Sequence, residues 1–220
     1  MTTTPTMELN GMRSLPSYAM PPVPCPNRVR WQPERTRAVL LVHDMQEYFL
    51  RKFDMGLAPV PELLQNAARL LDTCRAIGIP VFYTAQPTEQ PVHDRALLND
   101  FWGPGLTAPA VHDQQSIVDA LRPRAQDVVL TKWRYSAFQR SDLAERLHAM
   151  GRDQLMVCGV YAHIGCLATC LEAFMRDIQP FLIADAVADF SRAEHEMALR
   201  YVATRCGASL TTQDVLRAMA

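Results

Sequence analysis

VLLVHDMQEYFL, residues 39–50, carries an unbroken apolar run that stops abruptly at His43 and Asp44. The run starts at Ala38, is too short for a typical helix and shows no polar alternation, so Ala38–His43 reads as a strand buried on both faces. Such a strand needs cover above and below, and the flanking sequence supplies it. Further short apolar runs at 80–84, 127–131, 154–159, 180–184 and 208–211 read as strands. Between them lie amphipathic stretches at 61–77, 117–121, 142–150, 164–177 and 194–205, the first with Leu63, Leu64, Ala67, Leu70, Leu71 and Cys74 on one face. Gly78 and Gly151 stand where helix C-caps belong. The alternation predicts an α/β protein: three α/β/α layers around a six-stranded, mainly parallel sheet.

Bulk composition narrows the class. A length of 220 residues, 49% hydrophobic and 20% charged, suits a single globular domain. Residues 1 to about 36, rich in proline (Pro5, Pro16, Pro21, Pro22, Pro24, Pro26, Pro33), are expected to form an extended arm ahead of it. Lys plus Arg number 22 against 23 Asp plus Glu, so there is no excess positive field for nucleic acid or an anionic membrane. Neither a signal-type segment nor a membrane-length apolar run is present, and a cytoplasmic location is expected. The six cysteines, mostly in apolar segments, read as reduced thiols. Cys166 and Cys170 share a helical face, yet no histidine or acid sits at ligand spacing nearby; no metal and no cofactor are expected.

In open parallel sheets ligands bind beyond the carboxyl ends of the strands. Here those ends present Asp44 and Gln46, then Gln86, then Lys132, then the segment from Tyr161 to Gly165. The partner is therefore expected to be a small molecule. The stretch from Gln86 to about Leu106 is long, polar and aromatic, and reads as a lid. Asp44 also has a plain reading as a helix N-cap, or as half of an ion pair with Lys132 that only organises the strand ends.

Five segments, VLLVHDMQEYFL (39–50), YTAQP (83–87), DRALLNDFWGPGL (94–106), TKWRYSAF (131–138) and GVYAHIGCLATCLEAFMRDIQPFLIADAVADFS (159–191), resemble the isochorismatases of catecholate siderophore and phenazine pathways. The similarity runs from about Trp31 to Leu216 and implies the isochorismatase-like, Rossmann-like topology. The wider superfamily includes nicotinamidases, which use an Asp, a Lys and a nucleophilic Cys. Position by position, the first two fall on Asp44 and Lys132, and the third on Gly165. Glycine offers no nucleophile for an acyl-enzyme. An enol ether needs none: protonating its terminal methylene gives an oxocarbenium ion that water captures, and the hemiketal collapses to pyruvate and a diol. Cys166, one residue on, is turned by about 100° along the following helix and reads as a packing thiol. YTAQP lacks the metal ligands of the nicotinamidase branch.

The resemblance sets a proton problem. At pH 7 an ordinary Asp carries a proton about once in a thousand molecules, a penalty of about 4 kcal/mol. Desolvation by the strand and Phe49 opposes ionisation of Asp44, whereas Lys132 favours it. A substrate carboxylate that neutralises Lys132 is expected to load the acid. Arg95, in the lid, is assigned by the resemblance to a second carboxylate. Gln46 and Gln86 are candidate hydrogen-bonding groups, and Phe49, Trp102, Tyr135 and Tyr161 a candidate apolar wall. His163 is a second-tier site candidate beside its reading as a structural histidine. Pleat alternation places His43 on the opposite side of the sheet from Asp44, outside the site, and Trp133 is assigned to the core. The resemblance also implies a cis peptide before Tyr161.

Competing functions differ in what they predict. The same chemistry on 2-amino-2-deoxyisochorismate changes only the ring substituent. A docking partner for a carrier protein or synthetase would release no pyruvate, and a cysteine amidohydrolase would be inactivated through Cys166. A homodimer or larger homo-oligomer is implied by resemblance alone.

Overall fold

A computed structural model describes residues 14–220. All six strands are present and pair in parallel in the order β3-β2-β1-β4-β5-β6. They span Ala38–His43 (β1), Val81–Ala85 (β2), Val128–Thr131 (β3), Gln154–Val160 (β4), Gln179–Ala188 (β5) and Ala208–Leu210 (β6). The winding direction reverses between β1 and β4, which opens a crevice at their carboxyl ends.

Helices α1 (Glu47–Leu50), α2 (Val60–Ala76), α3 (Val92–Arg95), α4 (Leu98–Trp102), α5 (Leu143–Ala149), α6 (Leu167–Met175), α7 (Arg192–Tyr201) and α8 (Thr212–Met219) complete the three layers. The pleat of β1 sorts the core in two. Leu40 and Val42 pack with Leu63, Ala67, Leu70 and Leu71 of α2 and Val215 of α8. Val39 and Leu41 pack with Leu147 of α5, Cys170 of α6 and Leu199 of α7. Burial of each such side chain stabilises the fold by about 1.5–3 kcal/mol.

Several boundaries differ from expectation for identifiable reasons. Strand β5 runs on to Ala188 because Asp185, polar in the sequence, accepts the backbone N–H of Thr212 at 2.7 Å and its hydroxyl at 2.8 Å, so it anchors α8 without breaking the ladder. Helix α8 itself follows a capping box of Thr211 and Asp214. Residues 117–121 are not an α-helix: Ile117 forms an antiparallel bridge to Gln46, and only Asp119–Leu121 winds, as a 3-10 turn, before Pro123. Two helical stretches begin or end as π-turns, Ala162–Cys166 and Val202–Cys206. Trp133 is half-exposed and outside the core.

Ahead of β1 the described residues 14–34 hold no helix or strand and are fastened to the domain. The Leu15 N–H donates to Lys52 O at 2.6 Å, and the Tyr18 hydroxyl accepts the Asp189 N–H at 2.7 Å. Leu15, Met20, Val29 and Trp31 pack against the core. Pro5 and the rest of 1–13 lie outside the described residues. Among the described residues no helix is long and apolar enough to cross a membrane.

Candidate active site

The chain leaves β1 through Asp44, whose φ of 49° puts it in the left-handed region that a short polar side chain tolerates best. This kink has a geometric consequence. Pleat alternation holds only while the backbone stays extended, so the side chains of His43 and Asp44 do not diverge; His43 Nδ1 lies 3.7 Å from Asp44 Oδ2. The placement of His43 outside the site is therefore corrected: it borders the cleft.

Asp44 is 5% exposed and both its oxygens are taken. Lys132 Nζ donates to Oδ2 at 3.0 Å, and the Thr84 hydroxyl donates to Oδ1 at 2.5 Å while accepting the Asp44 N–H at 3.0 Å. Burial raises the carboxyl pKa, but His43, the Lys132 ammonium and the Thr84 hydrogen bond outweigh it, and the net direction is down. Among these neighbours Asp44 favours its carboxylate form. Burial takes the His43 imidazole the other way from its cationic form, to a pKa of about 4.

The cleft has a volume of about 240 Å³. Asp44, Lys132 and Gly165 line it together with Gln86, Arg95, Phe49, Trp102, Tyr135 and Tyr161. Arg95 comes from the lid, is buried, and spends one N–H on Gly103 O at 2.8 Å. Burial lowers its pKa. Lys52 and Arg134 also face the cleft, and among the described residues none of these three cations has a carboxylate partner. A cleft with four cations and one committed carboxylate fits an anion of more than one charge.

Phe190 joins the aromatic wall, its ring 4.5 Å from that of Tyr161 and 6.2 Å from that of Trp102. Trp102 Nε1 donates to the Tyr135 hydroxyl at 2.8 Å, tying the lid to the segment after β3. The Val160–Tyr161 peptide is cis, and the Tyr161 hydroxyl donates to Phe49 O at 3.0 Å.

Two expected site residues are elsewhere. Gln46 is fully buried, and its amide is consumed by Gln86 N–H, Gln86 O and Gln115 O at 2.7, 3.0 and 2.7 Å, so it braces the loops rather than meeting a ligand. His163 is turned from the cleft: its ring Nδ1 and backbone N–H both go to Asp189, at 2.5 and 2.6 Å. Although its burial opposes the charge, the Asp189 contact raises its pKa. His163, Asp189 and Glu194 offer atoms within 4.8 Å of one another, but Asp189 is already filled by His163 and the Phe190 N–H, an arrangement that fixes the imidazole. Cys166 is fully buried, and burial pushes its thiol well above the usual range.

Thr84, Leu15, Tyr48, Lys52, Arg134 and Phe190 were not singled out from the sequence, although Thr84 and Phe190 sit at the ends of β2 and β5, where the strand-end rule points.

The isochorismatase domain family matches residues 38–214, which include Asp44, Lys132 and Gly165. The chain belongs to the isochorismatase family. It is 53% identical over 207 residues to enterobactin synthase component B of Escherichia coli K12, covering 93% of this chain and 72% of that protein. It is 49% identical over 216 residues to phenazine biosynthesis protein PhzD of Pseudomonas fluorescens, covering 94% of this chain and 100% of that protein. A solved cysteine hydrolase of Pseudomonas syringae pv. phaseolicola superposes with a TM-score of 0.79 at 26% identity, covering 88% of this chain and 97% of that one. A protein of this fold is thus named a cysteine hydrolase, whereas here Gly165 lines the cleft.

Proposed function

We propose that this chain hydrolyses the enol ether of isochorismate to pyruvate and 2,3-dihydro-2,3-dihydroxybenzoate, with Asp44 as the general acid. The observation that carries the reading is Asp44 held in a cation-rich cleft whose nucleophile position is Gly165. Asp44 gives its proton to the terminal methylene carbon, and the oxocarbenium ion that forms is captured by water. The water's surplus proton returns to Asp44, and the hemiketal collapses with transfer of its hydroxyl proton to the departing ring oxygen. Lys132 and Arg95 each meet a substrate carboxylate, and the aromatic wall excludes other water.

The 2-amino analogue is the second reading, supported by the phenazine-pathway relative. An ammonium on the ring would sit among Lys52, Arg95, Lys132 and Arg134, so the hydroxyl compound is the better fit. Comparing kcat/KM for the two compounds decides between them. The proposal extends to a cytoplasmic homo-oligomer that meets a carrier protein or synthetase in trans, in line with the relative's name as a synthase component; light scattering tests the assembly.

Asp44→Asn is the direct test. With pyruvate release coupled to lactate dehydrogenase, kcat is expected to fall by about 10²–10⁴-fold, the range of a lost general acid. Wild-type turnover by this variant rejects the assignment.

A further inference from the structure

Gly165 is not a glycine for backbone reasons, since its φ lies outside the left-handed region where side chains are strained. Space is what forbids a side chain. A Cβ built there would stand 2.2 Å from His43 Cε1, 2.8 Å from Nε2 and 3.1 Å from Nδ1. Gly159 is a different case: its φ of +117° itself favours glycine, and its Cβ would stand 2.2 Å from the His43 carbonyl oxygen, a backbone approach independent of the imidazole. Gly165 is thus the glycine that makes room for the His43 ring.

The imidazole cannot yield. It is fully buried, with Nδ1 2.8 Å from Val160 O and Nε2 3.4 Å from Tyr135 O. Gly165 cannot retreat either, because its carbonyl accepts the Thr169 hydroxyl at 2.7 Å, and Thr169 in turn accepts the Ala137 N–H at 3.0 Å. From this clamp the ring backs Asp44, its Nδ1 3.7 Å from Oδ2.

We infer that His43 and Gly165 act as one unit in which the imidazole fills the space a side chain at 165 would need, positions Asp44, and bars covalent chemistry at that position. His43 is thus a positioning and specificity-determining residue. The inference rests on the reading of Asp44 as the acid.

Pyruvate release by His43→Ala, Gly165→Ala and the double variant tests the unit, with thermal melting to confirm folding. Gly165→Ala is expected to lower kcat by about tenfold or more through overpacking against the ring. His43→Ala should lower kcat with little change in KM, and His43→Asn, which keeps a donor toward Val160 O, should recover part of it. In the His43→Ala background, Gly165→Ala should cost less than about twofold. Losses that simply multiply, or a fully active Gly165→Ala, overturn the inference. Should Gly165→Ala fail to fold alone, His43→Asn with and without Gly165→Ala makes the same comparison. An active Asp44→Asn with the coupling intact would reject the acid while sparing the unit; additive losses with an inactive Asp44→Asn would do the reverse.

Discussion

Lys132 reaches Asp44 across an intervening strand: Nζ lies 3.0 Å from Oδ2 although β3 and β1 are separated by β2. Strands two apart are about 9–10 Å distant, so only a long side chain spans the gap. Thr84, on β2, takes the other Asp44 oxygen from between them. The three strand ends thus form one hydrogen-bonded unit that favours the carboxylate until a ligand intervenes.

As the proposed general acid, Asp44 must be loaded with its proton as the cleft fills. A substrate carboxylate on Lys132 withdraws that cation's support and adds repulsion, which raises the Asp44 pKa. The pKa governing loss of kcat as pH rises is expected to exceed the one governing kcat/KM. Equal values from the two profiles would show that binding does not load the acid.

Among the described residues Arg95 has a single acceptor, Gly103 O, and its guanidinium lines the cleft. Losing a charge-assisted hydrogen bond costs about 1.5–3 kcal/mol, so Arg95→Gln should reduce kcat/KM by about 10- to 100-fold. Most of it should appear in KM, since carboxylate binding is common to substrate and transition state. An effect confined to kcat would place Arg95 at the reacting centre instead.

His43 gives the fold an acid sensitivity whose sign is fixed. Its folded pKa of about 4 lies below the unfolded value near 6.5, so on acidification the unfolded chain binds a proton that the folded chain does not. Between pH 7.5 and 5 this group alone should remove about 2 kcal/mol of stability. His163, with its raised pKa, works in the opposite sense, its contribution being lost as pH rises. Urea unfolding of wild type and His43→Asn across that range checks this: the variant should show the shallower decline, and parallel curves would mean that His43 is protonated when folded.

Alkylation separates acid from thiol chemistry. Cys166 is buried with its thiol pKa pushed well up, so iodoacetamide at neutral pH should leave pyruvate release intact and Cys166 unlabelled in peptide mass spectra. Inactivation in step with Cys166 labelling would establish a nucleophilic cysteine.

Local pattern determined much of this protein. The double-faced apolar run of β1, the strand-helix alternation and the strand-end positions of Asp44, Gln86, Lys132 and Gly165 follow from residue order, because burial on two faces and parallel winding leave few arrangements. Tertiary structure decided the rest. Gln46 and His163 have the chemistry of site residues, yet neighbours distant in sequence, Gln115 and Asp189, claim their polar atoms. His43 joined the cleft because one left-handed residue broke the pleat, and Leu15, Lys52 and Arg134 did so because packing brought their segments there. Which of several capable side chains faces a cavity depends on who else satisfies it, and that is settled only when the chain has closed on itself.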